Sequence, residues 1–201
     1  MNYLAVDTSN KNLTVVLNYN GKLIKYFNGD CGVNHSVEIM PAIEKVILDA
    51  NADLKDVDFF ACVIGPGSFT GIRIGVATVK ALCLAYNKPS LAITSFDTIA
   101  YNNLEKSQFA VIDAKHNCYY ACGYNKGEVI FEPAYLTKEK LLEISLASEI
   151  TSFEQLKGLE NKVYNVVDGL INAIEHKKHL LTNANNLVPL YVRKSQAEEG
   201  R

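Results

Sequence analysis

The 201-residue chain has almost no excess of either charge: 20 Lys and Arg stand against 22 Asp and Glu, for a net charge of −2. So balanced a chain does not bind nucleic acid through bulk electrostatics, and any RNA contact needs a local patch or a partner. It also lacks a C-x-x-C pair. Its five cysteines (Cys31, Cys62, Cys83, Cys118, Cys122) are odd in number and lie mostly in apolar runs, which reads as buried, reduced thiols and no structural zinc site. No basic n-region precedes the first apolar segment, Tyr3-Leu4-Ala5-Val6, and no apolar stretch is expected to reach membrane-spanning length. A soluble, cytoplasmic chain without membrane contact is the expectation. With 48% hydrophobic and 21% charged residues it can bury a sizeable core, and its length suits two lobes of about 100 residues each.

The common catalytic signatures are missing as well. The most distinctive segment is Gly65-Pro66-Gly67-Ser68-Phe69-Thr70-Gly71-Ile72-Arg73-Ile74-Gly75, between an apolar strand and a long helix with few charges. Its third glycine comes one residue late for a dinucleotide fingerprint, and Gly71 is followed by Ile72 rather than the Lys of a Walker loop. Ser68 directly follows Gly67, so the nucleophile elbow is absent too, and Ser68 reads as a helix cap. The glycines permit close approach of another backbone or of an anion.

What is present is a repeat. Leu4 to Asp7, Leu13 to Leu17 and Lys22 to Phe27 read as a three-stranded meander with a turn at Asn20-Gly21. Ala110 to Asp113, Cys118 to Cys122 and Glu128 to Phe131 repeat it, with a turn at Lys126-Gly127. Asp7 precedes Gly21, and Asp113 precedes Gly127, by the same fourteen positions. In the first half a helix over 34–51, the strand 59–64, a helix to about Tyr86 and a strand near 91–93 follow. In the second half the expectation is a helix near 138–146, a loop with a short helix over 148–161, a strand over 163–167 and a last helix after Asp168-Gly169. The fold class is therefore α/β: a two-lobed, actin-like, duplicated βββαβα (ribonuclease-H-like) fold with a shortened second lobe. The lobes are placed at 1–104 and 105–201, the last segment able to return to the first. By analogy with that architecture, Asp7, Thr8, Ser9, Gly67, Ser68 and Asp113 are candidates for a nucleotide or anion cleft; alternatively, each Asp simply caps its turn.

Leu4-Ala5-Val6-Asp7-Thr8-Ser9, His35-Ser36 with Met40-Pro41, the eleven-residue glycine segment, Ile112-Asp113-Ala114 and Leu190-Tyr191-Val192-Arg193 together resemble the TsaB (YeaZ) family. The likeness spans nearly the whole chain. It implies a non-catalytic subunit of the bacterial machinery that makes threonylcarbamoyladenosine at tRNA position 37, paired with the TsaD transferase and served by a TsaE ATPase. It further implies a homodimer when the chain is alone, tRNA contact only through the complex, and no cofactor of its own, with ATP or ADP at the interface of the assembled complex left open.

The residues point the same way. TsaD resembles a metal enzyme with two histidines on the helix after its meander, whereas the corresponding helix here has His35 alone, with Met40 where a second ligand would be sought. His176 and His179 flank Lys177 and Lys178, whose charges repel a cation, and His116 falls in a turn. Around the second Asp the family runs Asp-Ala-Arg then Glu-Val-Tyr; Lys115 and Cys118 stand here instead of Arg and Glu. No nucleophile, base or metal set can be assembled. The competing readings are an actin-like small-molecule kinase or ATPase, a glycoprotease-like peptidase, and a general homodimeric interaction module. Because the helix after the glycine loop is apolar nearly all round, it needs cover on more than one face. Val37, Met40, Ile47, Ile72, Arg73, Gly75, Val76, Lys80 and Ala81 are the candidates for a partner interface.

Overall fold

A computed structural model describes residues 1–193. Strands β1 (Tyr3–Asp7), β2 (Leu13–Tyr19) and β3 (Lys22–Asn28) form an antiparallel meander, and β4 (Phe59–Val63) and β5 (Ser90–Ile93) add in parallel, in the order β3-β2-β1-β4-β5. β1 and β4 are buried at every position and, apart from Asp7 at the end of β1, read as unbroken apolar runs; β3, at the edge, alternates between half-buried Ile24 and Tyr26 and exposed Leu23, Lys25 and Phe27. Helix α1 (His35–Ala50) buries Ile39, Ala42, Ile43 and Val46 at helical spacing and ends at Asn51, whose left-handed φ of 49° closes the last turn. Helix α2 (Phe69–Tyr86) starts at Ser68, whose Oγ accepts the Gly71 N–H at 3.2 Å, and ends at left-handed Asn87. Ile72, Val76, Val79 and Cys83 of α2 join Ile39, Ile43 and Val46 of α1 in one core with Leu4, Val6, Val15, Phe60 and Cys62. At 18 residues α2 is long and apolar enough to cross a membrane by length and composition. That corrects the expectation of no such stretch, although a core helix passes the same test.

After α3 (Ser95–Ala100), strands β6 (Gln108–Asp113), β7 (Cys118–Asn125) and β8 (Glu128–Thr137) repeat the meander; α4 (Lys138–Ile144), β9 (Glu149–Ser152) and β10 (Lys162–Val163) follow, in the order β8-β7-β6-β9-β10. Both sheets thus share one connectivity, and the fold is the duplicated α/β, actin-like architecture read from the repeat. Phe109, Val111, Tyr119 and Ala121 form the second core with Leu141, Leu156 and Leu159.

Three details of the second half differ from expectation. The stretch 148–161 contains β9 rather than only loop and helix, because its inward positions are polar: Thr151 is fully buried and its Oγ1 donates to Gln108 Oε1 at 3.0 Å. The strand expected over 163–167 shrinks to Lys162–Val163. Val166 and Val167 instead open α5 (Val166–Lys177), where Asn165 Oδ1 accepts the Val167 N–H at 2.8 Å. Between β9 and β10 there is a loop where the first half has α2, and this is what shortens the second copy.

The chain divides into two units. One comprises Met1–Ser95 with Ala173–Pro189; the other comprises Phe96–Asn172 with, among the described residues, 190–193. Residues 96–104 therefore go with the second unit.

Candidate partner-binding surface

The glycine segment is folded onto the turn that follows β1. Gly65 has a φ of 105°, open to glycine and costly for other residues. The Ser68 N–H donates to the Ser9 carbonyl at 2.6 Å, Thr8 Oγ1 donates to the Gly71 carbonyl at 2.7 Å, and Ser95 Oγ donates to Ser9 Oγ at 3.1 Å. A Cβ added at Gly67 would overlap the Ser9 carbonyl, one at Gly71 the Thr8 carbonyl, and one at Gly75 the Thr8 hydroxyl. The glycines therefore serve the approach of a backbone, and the partner of the Ser68 N–H is protein.

Asp7, Thr8 and Ser9 are each no more than 1% exposed. Asp7 Oδ1 accepts the Ser9 N–H at 2.8 Å and Oδ2 the Asn10 amide at 3.4 Å. Burial pushes the Asp7 carboxyl above the ordinary range, opposed in part by the Ser9 hydrogen bonds, the nearby His35 and Asn10. His35 is itself buried, its Nε2–H donating to the Asn12 carbonyl at 3.0 Å. Asp113 makes the same turn in the other unit: Oδ1 accepts the Lys115 N–H at 2.8 Å, and Oδ2 lies 2.9 Å from Lys115 Nζ. Burial raises its carboxyl, but the two Lys115 hydrogen bonds and the ammonium charge outweigh that and hold it below the ordinary value. Gly67 and Ser68 are exposed. Among the described residues no three His, Cys, Asp or Glu side chains group as a metal set, and His116, His176 and His179 are exposed.

The outward face of α2 is different in kind. Phe69, Arg73, Ala77, Ala81 and Ala85 are exposed at a spacing of four, so they form one inclined stripe that winds across the exposed half of the helix, and Leu84 beside them is 70% exposed. The Arg73 guanidinium lies 3.8 Å from the Phe69 ring centroid and covers that end of the stripe. α1 packs beside α2 and adds Val37 at 70%, Met40 at 52% and Leu48 at 70% exposure. Of the residues chosen from sequence, Val37, Met40, Arg73 and Ala81 lie on this surface and Ile47 is half-buried; Lys80 is half-buried, its Nζ donating to the Asn185 carbonyl at 3.5 Å. Ile72, Gly75 and Val76 do not belong to it, because they face the sheet and are buried. Leu48, Phe69 and Leu84 were missed; counting four residues on from Glu44 and four back from Arg73 would have found the first two.

A family model described as TsaD, tRNA N6-adenosine threonylcarbamoyltransferase, matches residues 30–165. The TsaB protein of Buchnera aphidicola from Schizaphis graminum, named for tRNA threonylcarbamoyladenosine biosynthesis, is 30% identical over 92% of this chain and 90% of its own length. The TsaB protein of Bacillus subtilis is 36% identical over 51% of this chain and 44% of its own. Among solved structures, YeaZ of Pseudomonas aeruginosa superposes with a TM-score of 0.77 at 22% identity, covering 94% of this chain and 99% of that one, a likeness of fold.

Proposed function

Because the chain belongs to the TsaB (YeaZ) family, we propose that it works in tRNA threonylcarbamoyladenosine biosynthesis as a non-catalytic subunit that pairs with a TsaD-type transferase through the outward faces of α1 and α2. The observation that carries this reading is the stripe Phe69, Arg73, Ala77, Ala81, Ala85. Small side chains four apart let a second helix approach closely, and the flanking Val37, Met40, Leu48 and Leu84 supply apolar area that a monomer leaves in water. The same face serves a homodimer when the transferase is absent. A TsaE-type ATPase joins the complex, tRNA is met only through it, and the lone chain has no cofactor of its own. The burial of Asp7, Thr8 and Ser9 supports the non-catalytic role, since a kinase or peptidase needs an accessible acid or nucleophile.

The test is nucleoside analysis of bulk tRNA from cells depleted of the protein, complemented by the wild-type chain or by Ala81→Arg. Threonylcarbamoyladenosine restored by the first and not by the second supports the proposal. Modification unaffected by depletion overturns the pathway assignment, and rescue by both chains overturns the pairing face.

A further inference from the structure

We propose that Glu44 selects the partner at the α1–α2 face: the helix of the transferase that docks there brings a lysine or arginine against Glu44, set between apolar residues of its own. This rests on the pairing face proposed above and adds the charge which that face demands.

Glu44 stands at the middle of the outward side of α1. Met40, Glu44 and Leu48 follow one another at a spacing of four, and Val37 lies one turn before Met40. All four are exposed, while Ile39, Ile43 and Val46 on the opposite side are in the core. A helix laid over Met40 and Leu48 therefore also lies over Glu44.

The other two carboxylates of α1 are already engaged. The Tyr26 hydroxyl donates to Glu38 Oε2 at 3.4 Å, and Lys45 Nζ lies 3.1 Å from Asp49 Oδ2. Glu44 makes no hydrogen bond or ion pair among the described residues, and α2 contains no acidic residue, so Glu44 is the uncommitted carboxylate of the two helices. In the lone chain water solvates it. A partner that covers Met40 and Leu48 removes that water, and a carboxylate left unpaired in a closing apolar contact opposes docking strongly. A cation brought by the partner turns the same group into a desolvated ion pair. An acidic helix is repelled, and a wholly apolar one leaves the charge uncompensated. Apolar contact alone accepts many helices of fitting shape, whereas one charge at the centre of the strip accepts a matching partner in one register.

The test is calorimetric titration of the full chain with the TsaD-type subunit of the same cells, for wild type, Glu44→Gln, Glu44→Lys and Ala81→Arg. Glu44 is exposed, so its replacement leaves the fold intact, which circular dichroism checks. The expected result is binding weakened about tenfold by Glu44→Gln and at least about a hundredfold by Glu44→Lys. The sign decides: a carboxylate that meets no cation is a burden, and its removal by Glu44→Gln leaves binding unchanged or tighter. That outcome, with Ala81→Arg still abolishing binding, overturns the role of Glu44 and leaves the pairing face standing. Wild-type binding by Ala81→Arg overturns the face, and this inference with it. Changing one basic residue of the subunit to Glu should recover the loss in Glu44→Lys, and a loss that no such reversal recovers also overturns the proposal.

Discussion

The Thr8 hydroxyl donates to the Gly71 carbonyl at 2.7 Å inside the core, and the same oxygen fills the space that a side chain at Gly75 would need. One hydroxyl thus fastens β1's turn to α2 and sets the residue type one helical turn further on. The other neighbours of a Cβ at Gly75, Cys62 Sγ and Thr8 Cβ, stand at 3.4 and 3.7 Å, which is ordinary contact. Gly75→Ala alone should cost about 1–3 kcal/mol by overpacking. In a Thr8→Ala background most of that cost should vanish, and a double-mutant cycle by urea denaturation reads the coupling.

Asp7 makes stability depend on pH in an unusual direction. Its folded carboxyl is raised above the unfolded value of about 3.9, so in the window between the two the folded state holds the extra proton. Its contribution is therefore fully present below the unfolded value and is lost as pH rises through the folded one. Asp7→Asn, which keeps an acceptor for the Ser9 N–H, should flatten this dependence and be at least as stable at pH 7. A wild-type chain whose stability difference from Asp7→Asn is constant from pH 3 to 8 would refute the assignment.

Asp113 should behave oppositely. Held low by Lys115, its contribution is present above the unfolded value and is lost as pH falls through the folded one. Lys115→Ala should raise the Asp113 carboxyl, which carbon-detected NMR titration measures directly. Little change in midpoint would mean that the backbone hydrogen bond alone holds it down.

Ala81→Arg tests the α2 face without disturbing the core, because Ala81 is exposed. Stability should stay within about 0.5 kcal/mol of wild type. Pairing with a TsaD-type subunit should weaken at least about a hundredfold, as expected for burying an unpaired guanidinium. Calorimetry of the purified chains checks both.

The cysteines should sort by access. Cys31, Cys62, Cys83 and Cys122 are buried, and burial pushes the Cys83 thiol up to about 11 and the Cys62 thiol well above its ordinary value. Cys118 is half-buried. Brief treatment of the native protein with iodoacetamide should label Cys118 first, read by peptide mass spectrometry.

Much of the fold was legible because its signals are local. Asp7 and Asp113 before their turns, the glycines fourteen residues on, and the apolar spacing of Ile39, Ile43 and Val46 each announce an element without reference to the rest of the chain. β9 was hidden because Thr151 and Ser152 are buried through hydrogen bonds rather than hydrophobicity, and Val166-Val167 looked like a strand until Asn165 capped them into a helix. The residues chosen for a partner surface split between core and exterior for a related reason. Ile72, Gly75 and Val76 share the composition of Ala81 and Leu84, and only the phase of α2 against the sheet, fixed by Thr8 and Ser9, decides which of them face outward.

That fastening has a consequence for association. Ser68, Gly71 and Gly75 pin the start of α2 to β1's turn, and α2 rests on a close-packed sheet, so the orientation of its outer face is settled when the chain folds. A partner meeting it has little backbone left to order. The entropy lost on docking is then mostly that of rigid-body motion and of a few side chains, and alanines have no rotamers to lose. A modest contact area can therefore yield a durable complex.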